Sequence, residues 1–334
     1  MNMHNGNNNS SLPNLSRGFS LVELMVALVI TLILLAGIGQ IFLSSKKSFV
    51  IQDSLGRLQE NGRYAMETLA QDVRRAGFWG GNADITAIDD HVGGTGKVAT
   101  DDGTCTDVNW ARMLTHRIFG KNDTRAGYTC LPPDTSHKGD ILVVRYAAPW
   151  EVGDVTTPSF QDDQFYLRSS LFEGRLFKGS DHDQSVNTID APAVRTAELV
   201  SHGYFIHTSE SSDPNKCTGS DAVPSLYRMT PVIRAGELKL EAEEIAYGVD
   251  DFQVQYLVDT DKDNSVDDYF EEKDASDPMW DQVIAARIWL LVRAECPETG
   301  YTNDTIYRMA GTNYTYNDGY RRQLYTSTIR LRNR

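Results

Sequence analysis

The chain begins with a polar segment that is followed by one long apolar run. Residues 1–18 are rich in Asn, Ser and Gly, and residues 19–43 read FSLVELMVALVITLILLAGIGQIFL, with Glu23 as the one charged residue. At 1.5 Å per residue, a helix over this run is about 37 Å long and can cross a bilayer. A secretory signal peptide has its cleavage site after the apolar run, whereas the composition changes here before it. We therefore expect a transmembrane helix preceded by a removable leader.

Residues 44–77 change to an amphipathic pattern. Apolar positions recur at intervals of three, four or seven, and they are Ile51, Leu55, Leu58, Ala65, Leu69 and Val73. Gly77 follows as a C-terminal cap. The pattern predicts a helix from Phe19 to Ala76, with Gly37, Gly39 and Gly62 as points of low helix propensity.

Beyond residue 78 the pattern is that of β-structure, because short apolar and aromatic runs alternate with Gly, Asp, Asn and Pro. The predicted strands are residues 140–147, 203–208, 225–230, 252–258, 286–294 and 325–331. No βαβ alternation is present, which favours a mainly antiparallel sheet packed on the outer half of the helix, an α+β fold. The predicted domains are 1–18 (leader), 19–43 (transmembrane), 44–77 (amphipathic helix) and 78–334 (β-rich globular domain).

The net charge and the cysteine content restrict the range of possible functions. The formal net charge of −14 argues against broad binding to a nucleic-acid backbone, and the sequence shows no direct nucleic-acid site. Four widely spaced cysteines in a chain that crosses a membrane favour two disulfides over a zinc site. All three pairings are open, and we favour Cys105–Cys130 with Cys217–Cys296, because the first pair closes a short loop rich in Gly and Asp.

Glu23 needs a partner, because an acidic residue within an inserting helix costs on the order of 2.5–3.5 kcal/mol at the helix centre and less near an end. Cleavage after Gly18 would create a positive α-amino group on Phe19. That amine can pair with a carboxylate of a neighbouring subunit and set the axial register.

The residues from Arg17 to Leu24, RGFSLVEL, resemble the processing site of type IV prepilins. The resemblance implies cleavage by a prepilin peptidase between Gly18 and Phe19, N-methylation of Phe19 and a role for Glu23 in filament assembly. Three C-terminal segments, residues 249–256, 286–293 and 320–333, resemble the PilW-type minor pilins of Gram-negative type IV pili. They are more distantly similar to the J-type minor pseudopilins of type II secretion.

An Asp-rich stretch from residue 259 to 268 is a candidate calcium site. Oxygen-bearing side chains alternate along it, at Asp259, Asp261, Asp263, Ser265 and Asp267. The spacing resembles the first nine positions of an EF-hand loop, with Asn264 suited to the left-handed turn. The usual bidentate glutamate is missing or displaced, because Phe270 stands at the twelfth position. An acidic, solvated hairpin tip explains the same residues, so calcium is the one candidate cofactor and both interpretations stay open.

The resemblance implies a minor pilin that acts in the initiating or tip complex of a type IV pilus, with twitching motility, adhesion and DNA uptake downstream. Its implied partners are other minor and major pilins, the prepilin peptidase, the inner-membrane assembly machinery and a PilY-type tip adhesin. It implies a single-pass inner-membrane protein with a periplasmic domain, which reaches the pilus or cell surface after assembly. The alternatives are a type II pseudopilin, a calcium-dependent tip adhesin and a tethered enzyme; no H-E-x-x-H or G-x-S-x-G motif supports the last, and no catalytic residue is assigned.

Overall fold

A computed structural model describes most of the chain. The described residues are 18–333 without 83, 93–95, 97, 100–106, 125–127, 129, 132–138, 151, 153–159, 185, 187, 210–221 and 235–236. The chain forms two compact units, residues 1–53 and 54–334.

The first unit, where it is described, consists almost entirely of helix. Helix α1 (Leu21–Arg75) begins here, and every side chain from residue 18 to residue 50 is exposed. By length and composition, α1 can cross a membrane. Exposed apolar side chains all round a helix are costly in water and favourable in lipid. The predicted transmembrane helix therefore has the form that a membrane requires.

The second unit contains the end of α1, which packs by one face. The buried positions are Leu58, Gly62, Ala65, Leu69, Ala70, Asp72 and Val73, so most of the predicted stripe is confirmed. Gly77 ends the helix with a φ of 77°, and its N–H donates to the Arg145 carbonyl at 2.9 Å. A positive φ suits glycine at this position.

An eight-stranded sheet forms one part of the second unit. Its strands are β1 (Ile88–Asp90), β2 (Ile118–Lys121), β3 (Ile141–Ala147), β4 (Phe165–Ser169), β5 (Gly174–Lys178), β6 (Arg195–Thr208), β7 (Pro224–Arg234) and β8 (Glu237–Tyr247). They are ordered β1-β5-β4-β6-β3-β2, with β7 paired to both β6 and β8. Short helix α2 (Asp107–Arg112) and 3-10 turns at Ile85–Ala87 and Gly179–Asp181 lie in the connections.

The remaining strands form a four-stranded sheet and a small hairpin. They are β9 (Val249–Val258), β10 (Asp268–Phe270), β11 (Val283–Arg293), β12 (Tyr307–Met309), β13 (Thr312–Tyr314) and β14 (Arg322–Arg330). The four-stranded sheet has the order β10-β9-β11-β14, and β12 pairs with β13. A 3-10 turn at Pro278–Gln282 leads into β11.

All pairings are antiparallel except β1 with β5, so the predicted sheet type is confirmed. The six predicted strands are all present, as parts of β3, β6, β7, β9, β11 and β14. The sequence predicted no strand at β1, β2, β4, β5, β8, β10, β12 or β13, and β8 is the longest of those missed. It also underestimated β6, which starts at Arg195 rather than residue 203.

The main core lies between the buried face of α1 and both sheets. It joins Leu69 and Val73 of the helix to residues of β3, β6, β9 and β11, with Trp110 and Trp280 fully enclosed. A second cluster lies around β4 and β5, and a third around the β12–β13 hairpin. The outer half of α1 is thus part of the globular core, as the predicted α+β fold requires.

Candidate functional site

The predicted processing site lies immediately before α1. Ser20 caps the helix: its Oγ accepts the Glu23 N–H at 3.2 Å, and its carbonyl accepts the Leu24 N–H at 3.1 Å. Glu23 is in the first turn, three residues after the cap, which is the spacing of a capping box. The positive end of the helix dipole favours an acidic residue there. The Ser20 cap and the helix dipole therefore both favour Glu23 at the start of α1.

The bond predicted to be cleaved is accessible. Phe19 is 82% exposed, and a Cβ added at Gly18 would meet no atom within 4 Å. A glycine whose Cβ position is open leaves room for a peptidase close to the backbone. Cleavage at Gly18–Phe19, methylation of Phe19 and the assembly role of Glu23 stay predictions.

The Asp-rich stretch forms the loop between β9 and β10. Two of its residues have left-handed backbone, Lys262 with φ 66° and Asn264 with φ 73°. The expected left-handed turn at Asn264 is thus present. The tight path turns backbone N–H groups inward, and the Asp263 and Asn264 N–H groups both donate to the buried Asp259 carboxylate, at 3.1 and 2.9 Å.

Three of the five predicted ligands lie together. Carboxylate oxygens of Asp259, Asp261 and Asp267 are within 4.8 Å of one another. Asp263 is not among them, and its Oδ1 accepts the N–H and the hydroxyl of Ser265, at 2.7 and 2.5 Å.

Local hydrogen bonds also set the charge state of this loop. The hydroxyl of Ser265 lowers the pKa of Asp263, and the hydroxyl of Thr260 lowers the pKa of Asp267. The loop therefore stays anionic. This geometry fits a cation held by three carboxylates and also fits a hydrogen-bonded turn, so calcium stays a prediction.

Of the four cysteines, Cys130 and Cys296 lie within the described residues, and both are disulfide-bonded. Cys105 and Cys217 lie outside the described residues. The two disulfides expected from the sequence, Cys105 with Cys130 and Cys217 with Cys296, stay a prediction.

A buried carboxylate joins α1 to the eight-stranded sheet. Asp72 is 5% exposed and accepts three side-chain hydrogen bonds: from the Tyr146 hydroxyl at 2.8 Å, the Tyr204 hydroxyl at 2.6 Å and His202 Nδ1 at 2.5 Å. Tyr146 is on β3, and His202 and Tyr204 are on β6. These three donors lie on two strands, so they fix the rotation of α1 about its own axis relative to the sheet.

Two opposing effects act on this carboxylate. Burial raises the pKa of Asp72, but the hydrogen bonds from His202, Tyr204 and Tyr146 hold it below its ordinary value. Asp72 was not predicted as a functional residue from the sequence. A signal was present, because Asp72 follows Ala65 by seven residues and Leu69 by three and so lies on the apolar stripe.

Gly62 allows a second close contact between α1 and a sheet. A Cβ at this position would lie 2.2 Å from the Tyr325 ring of β14. At Gly37 and Gly39, in contrast, an added Cβ meets nothing within 4 Å. Gly62 therefore permits close packing, in addition to the low helix propensity that the sequence indicates.

A second cluster of acidic residues lies at strand β9 of the four-stranded sheet. Asp140 and Asp251 are buried, and Gln253 bridges Asp251 to Asp123 with bonds of 3.1 and 3.0 Å. Asp140 accepts backbone N–H groups from Asp123 and Val254. Burial raises the pKa of Asp251 to about 6 and that of Asp140 well above its usual range.

Comparison with known proteins adds two family matches. Residues 13–39 match the prokaryotic N-terminal methylation motif, and residues 203–333 match the family of type IV pilus-assembly protein W, PilW. No curated protein matches the chain in sequence.

Among solved structures, the chain is similar to a type IV-like pilin from Thermus thermophilus at 10% identity. The alignment covers 83% of this chain and 97% of that one, and the TM-score of 0.37 is too low to support an assignment. The family matches stand without it. They coincide with the capped, exposed segment that is predicted to be processed and with the four-stranded C-terminal sheet. The family match over residues 203–333 and the methylation motif over residues 13–39 together support a type IV pilus minor pilin of the PilW type.

Proposed function

We propose that this pilin acts in the initiating or tip complex of a type IV pilus and promotes pilus assembly there. Twitching motility, adhesion and DNA uptake depend on it indirectly, through the filament. Its partners are other minor and major pilins, the inner-membrane assembly machinery and a PilY-type tip adhesin. Before assembly the globular unit is periplasmic, and after assembly it is at the pilus or cell surface.

The size of the second unit carries this proposal. A compact unit of about 280 residues has a radius of gyration of about 19 Å, or a diameter near 48 Å for a sphere. Packed helices lie only about 8–10 Å apart. Domains of this width crowd one another if every helix in a filament core carries one, which supports a low copy number or a terminal position.

Glu23→Ala tests the filament role. We expect processing and methylation to continue, because Gly18 and Phe19 are unchanged, and incorporation into sheared pili to fall about tenfold. Tenfold corresponds to about 1.4 kcal/mol, well within the strength of a partly buried amine–carboxylate pair. Glu60→Ala, an exposed glutamate on the same helix, is the matched control.

Mass spectrometry of the mature N-terminus and quantitative immunoblots of pilus and membrane fractions measure both steps. Normal incorporation of the Glu23→Ala chain would contradict the proposed assembly role. The type II secretion alternative makes a different prediction, since deletion would then abolish exoprotein release and leave twitching intact.

Calcium-dependent adhesion is a second candidate, supported by the three converging carboxylates of Asp259, Asp261 and Asp267. Three anionic ligands of this kind fit a site of micromolar to millimolar affinity. Calorimetric titration of the full chain in detergent micelles should show one calcium ion bound, and Asp261→Ala should abolish binding. Asp304→Ala, an exposed carboxylate elsewhere, is the control. Absence of binding at millimolar calcium would leave the hairpin-turn interpretation.

A further inference from the structure

The last strand of the four-stranded sheet has a free edge. β14 pairs with β11 and lies at the end of the order β10-β9-β11-β14. Beyond the strand, the Leu331 N–H donates to the Ile284 carbonyl at 2.9 Å, which continues the register of Arg330 with Ala285. In an antiparallel ladder, hydrogen-bonded and non-hydrogen-bonded pairs alternate. The backbone groups of Arg330 and Thr328 therefore point away from β11.

A groove of about 430 Å³ runs along this edge, lined by Thr328 to Arg332 and by Arg74 of α1. The last three residues of β14 and the two residues that follow the strand line it, as expected where a backbone edge is open. The end of α1 closes the groove, because the Arg332 N–H donates to the Arg74 carbonyl at 3.3 Å. Within the described part of the chain, the outward N–H groups of Thr328 and Arg330 have no acceptor.

The groove is basic although the chain is acidic. Arg74, Arg330 and Arg332 line it, and among the described residues none of the three has a carboxylate partner. The helix end does not require Arg74 as a cap, because the Ala76 N–H, the Phe78 N–H and the Asn333 side chain already donate to carbonyls of the last turn. From residue 319 to residue 334 the sequence contains five arginines and no acidic residue.

The acidic loop between β9 and β10 limits which ligands can bind in the groove. Arg330 Nη2 donates to the Asn264 carbonyl at 2.7 Å, so the loop of Asp261 and Asp263 lies beside the groove. A long polyanion such as DNA would run past these carboxylates, whereas a short segment would not. Backbone N–H and C=O groups that point outward can form hydrogen bonds with the backbone of another peptide, and guanidinium groups bind carboxylates.

We propose that this edge binds a short, extended, acidic segment of a partner protein, which adds a strand beside β14 with its carboxylates on Arg74 and Arg332. The surface is not used by the proposed filament role. Failure of the experiment below therefore leaves the Glu23 prediction untouched.

The probe is an acetylated, amidated and fluorescently labelled octapeptide of alternating valine and aspartate. It is titrated against the full chain in detergent micelles, and binding is measured by anisotropy in 50 and 200 mM salt. We expect saturable binding that weakens at least fivefold with Arg332→Glu and less than twofold with Arg308→Glu, an exposed arginine on β12. N-methylation of alternate peptide bonds should weaken binding at least tenfold in one of the two registers.

Three outcomes would overturn the proposal. Equal losses for Arg332→Glu and Arg308→Glu, or indifference to N-methylation in both registers, would show unspecific charge attraction. Tighter binding of a 20-base-pair DNA duplex than of the peptide would show a nucleic-acid surface. No binding at millimolar peptide would show that the edge is closed, and circular dichroism of both variants confirms that they are folded.

Discussion

Asp72 offers the most direct test of how α1 is held on the globular unit. Asp72→Ala leaves the hydroxyls of Tyr146 and Tyr204 and the His202 ring without their shared acceptor. Hydrogen bonds to a charged group contribute about 1.5–3 kcal/mol each, and breaking a buried ionic contact costs about 3–5 kcal/mol in total. We expect a loss of about 3–5 kcal/mol in the free energy of unfolding.

Thermal unfolding of the full chain in detergent micelles, followed by near-UV circular dichroism, measures this loss. Unfolding entropy near 2.1 cal/mol/K per residue over about 280 residues converts 3–5 kcal/mol into a fall in Tm of about 5–8 °C. Tyr204→Phe removes one donor and leaves the carboxylate two, so it should cost only about 1–2 °C. Glu67→Ala, exposed on the same helix, should leave Tm unchanged within about 1 °C.

The effect should also depend on pH. Because the folded pKa of Asp72 is below its unfolded value near 3.9, its contribution is complete above that value and is lost as pH falls through the folded pKa. The difference in Tm between the parent chain and Asp72→Ala should therefore narrow below about pH 4. A fall of less than 2 °C at pH 7, or a difference that widens in acid, would refute the reasoning.

Three further predictions concern packing, titration and crosslinks. Gly62→Ala should lower the free energy of unfolding by about 1–3 kcal/mol, because the added Cβ meets the Tyr325 ring. Gly56→Ala should raise it by about 0.5–1 kcal/mol, because Gly56 is exposed and its Cβ position is open. Equal effects of the two variants in thermal unfolding would contradict the close contact between Gly62 and Tyr325. Because the folded pKa of Asp251 is near 6, stability should fall as pH rises from 4 to 6, and Asp251→Asn should raise Tm at pH 7.5 but not at pH 4; a gain at both pH values would argue against this titration. Tryptic mapping without reduction should yield Cys105 linked to Cys130 and Cys217 linked to Cys296, and any other linked pair would disprove the favoured pairing.

Much of the fold could be predicted from local pattern, and the failures have physical causes. The missed strand β8, ELKLEAEEIAY, is built from strong helix formers. Its ten-position register with β7 overrides that propensity. An alternation of Leu238, Leu240 and Ala242 with charged residues was nevertheless visible, and period two is the signal of a strand.

The candidate functional residues also divide into those that can be recognised in the sequence and those that cannot. Gly18, Phe19 and Glu23 lie within one stretch of six residues, so the motif can be recognised from spacing alone. Asp72 and the basic groove could not be found as sites, because their partners are 74 to 258 residues distant in sequence and meet only after the sheets form. Long-range partners leave no local period, and only the misplaced charge on the apolar stripe hinted at the network.

Strand β6 has a consequence for how the protein can be divided. Its residues 195–198 pair with β4, and on the same edge its residues 203–208 pair with β7, starting at Gly203 opposite Met229. The PilW segment thus begins at the residue where one continuous strand changes its neighbour. A chain shortened to start at residue 203 would lose α1, β1 to β5 and residues 195–202 of β6, which leaves Gly203 and Tyr204 without their β3 partners Val143 and Leu142. The segment that matches the family and the unit that folds therefore have different boundaries. A fragment that starts at the family boundary should aggregate rather than fold as a domain.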